Sequence, residues 1–111
     1  MNDLSKLKKI ETNYHIKQWE DPYRSTISFY KFVKKSIKKS KKVIDLGCGI
    51  GSSTYYISNR HTKCEFIGID YSKKYIDMGN DIIKSKKSNN LRLIEDDCFN
   101  LNAYDKINGV I

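Results

Sequence analysis

One stretch of this chain, Val43–Gly51, limits the possible fold more than any other. Its first four residues, Val-Ile-Asp-Leu, suit a buried strand, and three glycines follow at alternate positions up to Gly51. Such a turn adopts backbone angles that other residues avoid, and it lets a ligand approach the main chain without a Cβ in the way. Two serines then suit the start of a helix, where free amides attract an anionic group. The pattern predicts a ligand-binding turn between a strand and a helix.

Acidic residues stand at the ends of the first two strand-like runs. Asp45 lies just inside the end of the first run, where a carboxylate could meet a positively charged ligand group. The second run, Glu65–Asp70, ends in an acid 19 positions after Gly51. At this spacing a βαβ unit places a carboxylate on ribose hydroxyls. Tyr71 follows and could lie flat on a purine. An amino-acid-like group fits this turn better than a pyrophosphate does.

A third strand-like run, Leu91–Ile94, precedes Glu95, Asp96 and Asp97. Strand-like and helical patterns alternate along the chain, which predicts a parallel α/β sheet with right-handed crossovers. The ends of such strands line one crevice, where ligands bind. Three acidic strand ends are therefore expected at one site.

With these residues the chain resembles the class I methyltransferases, which use S-adenosylmethionine. The resemblance covers Val43–Ile111 and, less closely, the segment before it. The motif from Asp45 to Gly51, Asp-Leu-Gly-Cys-Gly-Ile-Gly, is close to the family's acid-x-Gly-x-Gly-x-Gly. Asp70 stands at the position of the family's ribose-binding acid, and Asp97 at that of the acid that meets the adenine amino group. Asp96 departs from the family, because many members carry glycine there.

The resemblance implies S-adenosyl-L-methionine as the cofactor and a Rossmann-like parallel sheet. The glycines would let the methionine portion approach the backbone, and the first acid would hold its ammonium group. The aromatic residue after the second strand would pack on adenine. The implied cofactor-binding residues are Asp45, Gly47, Cys48, Gly49, Gly51, Asp70, Tyr71, Asp97 and Cys98.

The expected organisation is a basic N-terminal helical segment, residues 1–42, and an incomplete cofactor-binding α/β domain, residues 43–111. The family's sheet has seven strands, and the resemblance implies the order three-two-one-four for the first four, with the first between the second and the fourth. This chain reaches only the opening of a fourth strand, Ile107–Ile111. We therefore expect a truncated fold that is marginal when isolated, binds cofactor weakly and does not catalyse methyl transfer alone.

Other glycine turns fit less well. A nicotinamide-binding turn places its third glycine one position later, where Ser52 stands here. A P-loop requires Gly-Lys-Ser/Thr after the turn, and a hydrolase elbow requires Gly-x-Ser-x-Gly; both are absent. A tight turn that binds no ligand remains an alternative.

The net charge of +8 lies entirely before the first motif. Residues 1–42 hold twelve Lys and Arg against four Asp and Glu, whereas residues 43–111 hold nine of each. Asp21 and Pro22 predict a capped helix start, and this helix should run to about Lys39. Its lysines are expected to be mainly solvated, with contact to RNA or an acidic membrane surface as the alternative.

Five further residues carry structural expectations. Ser72 should cap a later helix, on which Gly79 should face inward. Trp19 and Tyr23 should pack the N-terminal segment onto the sheet, and the alternative implied by the resemblance is that this segment covers the cofactor. Cys64 is expected to be a small core residue.

Three cysteines without metal-ligand spacing, and no signal peptide, indicate a reducing cytoplasm and no metal site. Within the resemblance, the expected reaction is methyl transfer to an O, N or C nucleophile of a small-molecule acceptor. A cofactor-binding protein without turnover and a basic RNA-interacting module are the alternatives.

Overall fold

The computed structural model describes residues 13–99. Helix α1 covers residues 13–20 of this part and is followed by a second helix and then by alternating strands and helices. These elements are α2 (Arg24–Lys38), β1 (Lys42–Leu46), α3 (Ser52–Ser58), β2 (Glu65–Asp70), α4 (Lys73–Lys86) and β3 (Leu91–Glu95).

The three strands form a parallel sheet in the order β1-β2-β3. In its register Asp45 lies beside Gly68, and Asp70 beside Glu95. The strand ends therefore meet at one edge, as the alternating pattern predicts. The parallel α/β fold is confirmed, and so is the position of β2 between β1 and β3. The expected fourth strand, Ile107–Ile111, lies outside the described residues.

The larger core lies between the sheet and the helices. Phe66 on the central strand is 1% exposed. Around it pack side chains from both flanking helices and from β3, namely Ile57, Ile76, Ile82, Ile83, Leu91 and Leu93. Burial of each such aliphatic side chain contributes about 1.5–3 kcal/mol. On the opposite face, Ile67 and Ile69 are fully buried. The central strand is thus covered on both faces, which fixes the position of the site that lies at its end.

The predicted start of α2 was wrong. The helix begins at Arg24, its N-cap is Tyr23, and no side chain caps it. The reason lies in α1, which the sequence interpretation did not recognise as a helix. The amide of Asp21 donates to the carbonyl of Lys17 at 2.8 Å, so this residue closes α1 instead of opening α2.

Helix α1 fastens the N-terminal segment to the α/β unit. Trp19 is 3% exposed, and its ring lies 4.7 Å from that of Tyr55 on α3. Glu20 accepts from Lys86 on α4 at 3.0 Å. The expected packing role of Trp19 is confirmed. Tyr23 is half exposed instead, and its hydroxyl lies 2.8 Å from that of Tyr14.

The predicted start of α4 is confirmed, because the hydroxyl of Ser72 accepts from the amide of Tyr75 at 3.3 Å. Cys64, expected in the core, is buried. In the described part of the chain, no helix combines the length and apolar character needed to cross a bilayer.

Candidate functional site

The glycine turn between β1 and α3 adopts the left-handed conformation three times. The φ angles are +74° at Gly47, +58° at Gly49 and +89° at Gly51. A Cβ added to either of the first two would meet no atom within 4 Å, so the backbone angle, not crowding, requires glycine there. At Gly51 an added Cβ would also lie 3.0 Å from Leu93. The space above the first two glycines stays open.

The turn is anchored to the end of β2. The amides of Gly47 and Cys48 both donate to the carbonyl of Ile69, at 2.7 and 3.1 Å. The amide of Gly51 donates to the carbonyl of Cys48 at 3.0 Å. These amides are therefore engaged within the protein. The amides of the first turn of α3 have no carbonyl partner inside the helix, as at any helix start.

Asp70 connects the glycine turn to the start of α4. One carboxylate oxygen accepts from the amide of Gly49 at 2.9 Å, and the other accepts from the amide of Ser72 at 2.9 Å. The residue is 8% exposed. Since a carboxylate offers about four acceptor positions, each oxygen retains capacity for one further donor. Sequence reasoning expected a ligand contact here and missed this internal role.

Asp45, in β1, is the second carboxylate beside the glycine turn. One of its carboxylate oxygens accepts from the hydroxyl of Thr54 at 2.7 Å. Burial raises the pKa of the Asp45 carboxyl, the Thr54 hydrogen bond opposes this, and the negative charge of Asp70 raises it further. Asp45 borders a narrow pocket of about 150 Å³ between α2 and β1, which Phe29 and Val33 also line. The partnership with Thr54 carried no recognisable signal in the sequence.

A cleft of about 690 Å³ opens at the carboxyl edge of the sheet. This volume lies in the range of small-molecule sites, about 300–1,000 Å³. Most of its exposed lining is apolar. Five of the nine predicted site residues line it, together with two others, and the seven are Leu46, Gly47, Asp70, Tyr71, Asp97, Cys98 and Phe99.

The loop after β3 forms one wall of this cleft. A carboxylate oxygen of Asp97 accepts from the amide of Phe99 at 2.8 Å, while the amide of Asp97 donates to Asp96 at 2.7 Å. Cys98 donates its thiol to the carbonyl of Ile69 at 3.7 Å. Tyr71 stands at the rim and is 80% exposed. The adenine contacts expected of Asp97 and Tyr71 remain predictions.

The remaining predicted residues, Asp45, Cys48, Gly49 and Gly51, do not line the cleft. The thiol of Cys48 points instead toward β2, where a Cβ added to Gly68 would lie 2.8 Å from its sulfur. Burial, followed by the charges of Asp45 and Asp70, raises the pKa of Cys48 to about 12.

Two further glycines support the turn from below. A Cβ on Gly68 would meet Cys48, and one on Gly79 of α4 would overlap the carbonyl oxygen of Ile50. An isolated glycine within a strand often marks a close approach of another backbone, so the signal at Gly68 was available in the sequence. Gly79 was expected to face inward but was not connected with the turn.

Among residues 13–99, no group of three or more His, Cys, Asp or Glu side chains is arranged to hold a metal ion. The arrangement is that of an organic ligand site: an open glycine turn, an anchored carboxylate and an apolar cleft beside them.

Comparison with known proteins identifies the class. Residues 37–111 match the family model of a methyltransferase domain, and the chain belongs to this family. Over 58 residues it is 33% identical to (S)-coclaurine N-methyltransferase of Papaver somniferum. The aligned part covers 52% of this chain and 16% of that enzyme. The chain spans 29% of the length of one curated relative and 16% of another.

Solved structures agree with the fold. PKMT2 from Rickettsia typhi, in complex with AdoHcy, is 33% identical, with a TM-score of 0.53 over 57% of this chain and 12% of that one. The SAH-bound methyltransferase PaMTH1 of Podospora anserina is 20% identical, with a TM-score of 0.61 over 88% of this chain and 45% of that one. The Rossmann-like methyltransferase fold of this chain is thereby established.

Proposed function

We propose that this chain is the cofactor-binding part of an S-adenosylmethionine-dependent methyltransferase acting on an O, N or C nucleophile of a small-molecule acceptor. Membership of the methyltransferase domain family supports the reaction class. The AdoHcy complex of the similar Rickettsia typhi protein supports the cofactor. The observation that carries the proposal is Asp70, whose carboxylate lies between the glycine turn and the apolar cleft.

The residues present fit such a cofactor. Gly47 and Gly49 leave open space above the backbone, where a side chain would otherwise stand. Asp70 keeps acceptor capacity on both oxygens for ribose hydroxyls. Tyr71 offers a ring at the rim for adenine, and Asp97 offers a carboxylate for its amino group. An apolar lining with a few polar groups is the usual composition of a small-ligand site.

The cofactor, when bound, supplies a methyl group on a positively charged sulfur, which a nucleophile takes by in-line displacement. This methyl group is already activated, so the main task of the protein is to position donor and acceptor. Asp70 performs part of this task without moving, because two backbone amides hold its carboxylate. The proposed roles of Cys48 and Cys98 are backbone contacts, since the thiols of both residues point to other parts of the protein.

Asp45 is proposed to attract the ammonium group of the methionine portion, directly or through water. Its partly buried carboxylate and that of Asp70 flank the same glycine turn, and the charge of Asp70 raises the pKa of Asp45. Two carboxylates whose hydrogen-bond donors are two neutral amides and a hydroxyl leave net negative charge beside the turn. This favours a cationic ligand over a pyrophosphate, whose charge both residues would repel.

Isothermal titration calorimetry with S-adenosylhomocysteine and with NAD tests the cofactor. S-adenosylhomocysteine should bind, NAD should not, and Asp70→Ala should weaken binding by about 1–3 kcal/mol, the range for an unpaired hydrogen-bonding group. The matched control is Asp77→Ala, which removes an exposed carboxylate that pairs with Lys73 at 2.7 Å. Tighter binding of NAD would overturn the assignment.

A methyl-transfer assay against a mixed panel of acceptors, run on a protein that spans the full length of the curated relatives, separates the enzyme from a protein that binds cofactor without turnover. Transfer that requires Asp70 but tolerates Asp77→Ala supports the enzyme. S-adenosylhomocysteine binding without transfer to any acceptor supports the binding-only alternative.

A further inference from the structure

A second cleft lies at the opposite end of the sheet from the glycine turn. Its volume is about 430 Å³. It is formed by the end of α2 with the loop that leads to β1, and by the loop that leads from α3 to β2. Its lining residues are Ile37, Lys38, Ser40, Lys41, Arg60, His61, Thr62, Lys63 and Cys64. Four of these nine are cationic and none is acidic.

The cations of this basic cleft are not neutralised within the described part of the chain. No carboxylate there lies within ion-pair distance of Lys38, Lys41 or Lys63. Arg60 is held in position: it donates to the carbonyl of Tyr56 at 2.9 Å, and its guanidinium carbon lies 3.5 Å from the centre of the Tyr56 ring. One oriented guanidinium and three ammonium groups without an ion-pair partner in this part of the chain thus line the cleft.

His61 lies in the electrostatic field of the neighbouring lysines. Its imidazole Nε2 lies 2.9 Å from the hydroxyl of Tyr30. Burial lowers the pKa of His61, and the positive charges of Lys38 and Lys34 lower it further. The imidazole therefore stands in a positive field that arises from α2.

We propose that this basic cleft binds phosphate groups of a single-stranded nucleic acid, at a site separate from the cofactor cleft. A phosphate oxygen accepts from guanidinium and ammonium groups in strong, charge-assisted hydrogen bonds. Lys31, Lys34 and Lys35 continue the positive charge along α2 beyond the cleft. The stretch from Lys31 to Lys38 is about 10 Å long at 1.5 Å per residue, which suits several successive phosphates.

A nucleic acid fits this cleft better than a lipid bilayer does. The cleft is concave and rich in hydroxyl and basic groups, whereas a membrane-binding helix presents a broad apolar face flanked by basic residues. Neutralisation of successive phosphates also provides sequence-independent affinity without a dedicated recognition motif.

The test is fluorescence anisotropy with a labelled oligouridine of about 12 nucleotides, a length within the usual site sizes for single strands. The cleft variant is Lys38→Gln/Lys41→Gln/Lys63→Gln. The matched control, Lys17→Gln/Lys73→Gln/Lys74→Gln, makes the same change in net charge on α1 and on the first turn of α4. Thermal unfolding verifies that both variants fold, and S-adenosylhomocysteine binding should be unchanged in each.

We expect the cleft variant to lose at least tenfold in RNA affinity and about 2 units in the slope of log K against log salt, at about 0.7 per phosphate contact. The control should change far less. Saturation with RNA should also raise the pKa of His61, measured by NMR, because phosphate charge offsets that of Lys34 and Lys38. Equal losses in both variants, an unchanged His61 pKa or binding only to anionic vesicles would overturn the proposal. Loss of S-adenosylhomocysteine binding in the folded cleft variant would also contradict the proposal, because the two sites would then not be separate.

Discussion

The carboxylate of Asp70 accepts a hydrogen bond from the backbone amide of Gly49 at 2.9 Å, across 21 positions of sequence. This contact joins the end of β2 to the middle of the glycine turn that follows β1. The second oxygen of Asp70 holds the amide of Ser72 at the start of α4. One side chain thus fixes three chain segments at the edge where the cofactor is proposed to bind. Substitutions at Asp70 should therefore affect both stability and affinity.

The conservative change Asp70→Asn should separate geometry from charge. An asparagine keeps one acceptor oxygen, but its NH₂ group would face a backbone N–H and leave one amide unpaired. We expect a loss of about 1–3 kcal/mol in the free energy of unfolding, measured by urea titration. Asp97→Asn is the control, because its oxygen can still accept from Phe99 and the site is exposed. Its stability should stay within about 0.5 kcal/mol. Equal losses would show that Asp70 does not act as an anchor.

The raised pKa of Asp45 predicts a pH-dependent effect on stability. In the folded protein this carboxyl binds its proton more tightly than its ordinary pKa of 3.8 implies. The contribution of Asp45 to stability is therefore fully present below pH 3.8 and is lost as the pH rises through its folded-state pKa. Asp45→Asn removes this decline, so its stability relative to the wild type should increase from pH 4 to pH 7.

Melting temperatures of Asp45→Asn and the wild type across this pH range test the effect. Asn can still accept from Thr54, so the comparison changes charge and keeps the hydrogen bond. Thr54→Val removes the hydrogen bond that lowers the Asp45 pKa and should make the decline steeper. A stability difference that does not vary with pH would mean that Asp45 is not perturbed.

Substitution of Gly79 or of Gly49 by alanine should lower stability for different physical reasons. Gly79→Ala would place a Cβ against the carbonyl of Ile50, so we expect a loss of about 1–3 kcal/mol in stability from overpacking. Gly49→Ala meets no atom within 4 Å but must adopt a φ of +58°, at a cost of about 1–2 kcal/mol. Only Gly49→Ala should also reduce S-adenosylhomocysteine affinity beyond its effect on folding. Calorimetry and thermal unfolding of both variants measure the difference.

Cys48 should react slowly with alkylating agents. Its pKa of about 12 leaves very little thiolate at pH 8, and the thiolate is the nucleophile. Iodoacetamide labelling followed by mass spectrometry should show modification more than tenfold slower than that of glutathione. Labelling at the glutathione rate in the folded protein would contradict the buried environment of this thiol.

The lysines of α2 and of its C-cap should not affect the affinity for the cofactor. Neutralising Lys34, Lys35, Lys38 and Lys39 should leave S-adenosylhomocysteine affinity within about 0.5 kcal/mol, as for most surface changes. The reason is position, because Lys38 borders the basic cleft at the opposite end of the sheet. A larger loss in calorimetry would indicate that the helix is coupled to the cofactor cleft.

Local patterns were sufficient to predict the framework. Three features each depend on neighbouring residues, and each is found as expected. They are the apolar run before the glycine turn, the acid at the end of Glu65–Asp70 and the helix cap at Ser72. Alternation of strands and helices was enough to predict the parallel sheet, because parallel strands need crossover connections. The left-handed turn was likewise implied, since only glycine adopts such angles readily three times in nine residues.

Only the tertiary structure decided which contacts the predicted site residues make within the protein. Three contacts join segments that are distant in sequence. They are the anchoring of Gly49 by Asp70, the pairing of Asp45 with Thr54 and the overlap that excludes a Cβ at Gly79. The extent of α1, which ends before Asp21, also depends on packing, because Trp19 packs that helix against Tyr55 of α3. Propensity and spacing describe one segment at a time. The direction of a side chain in a core depends on the segments that pack around it.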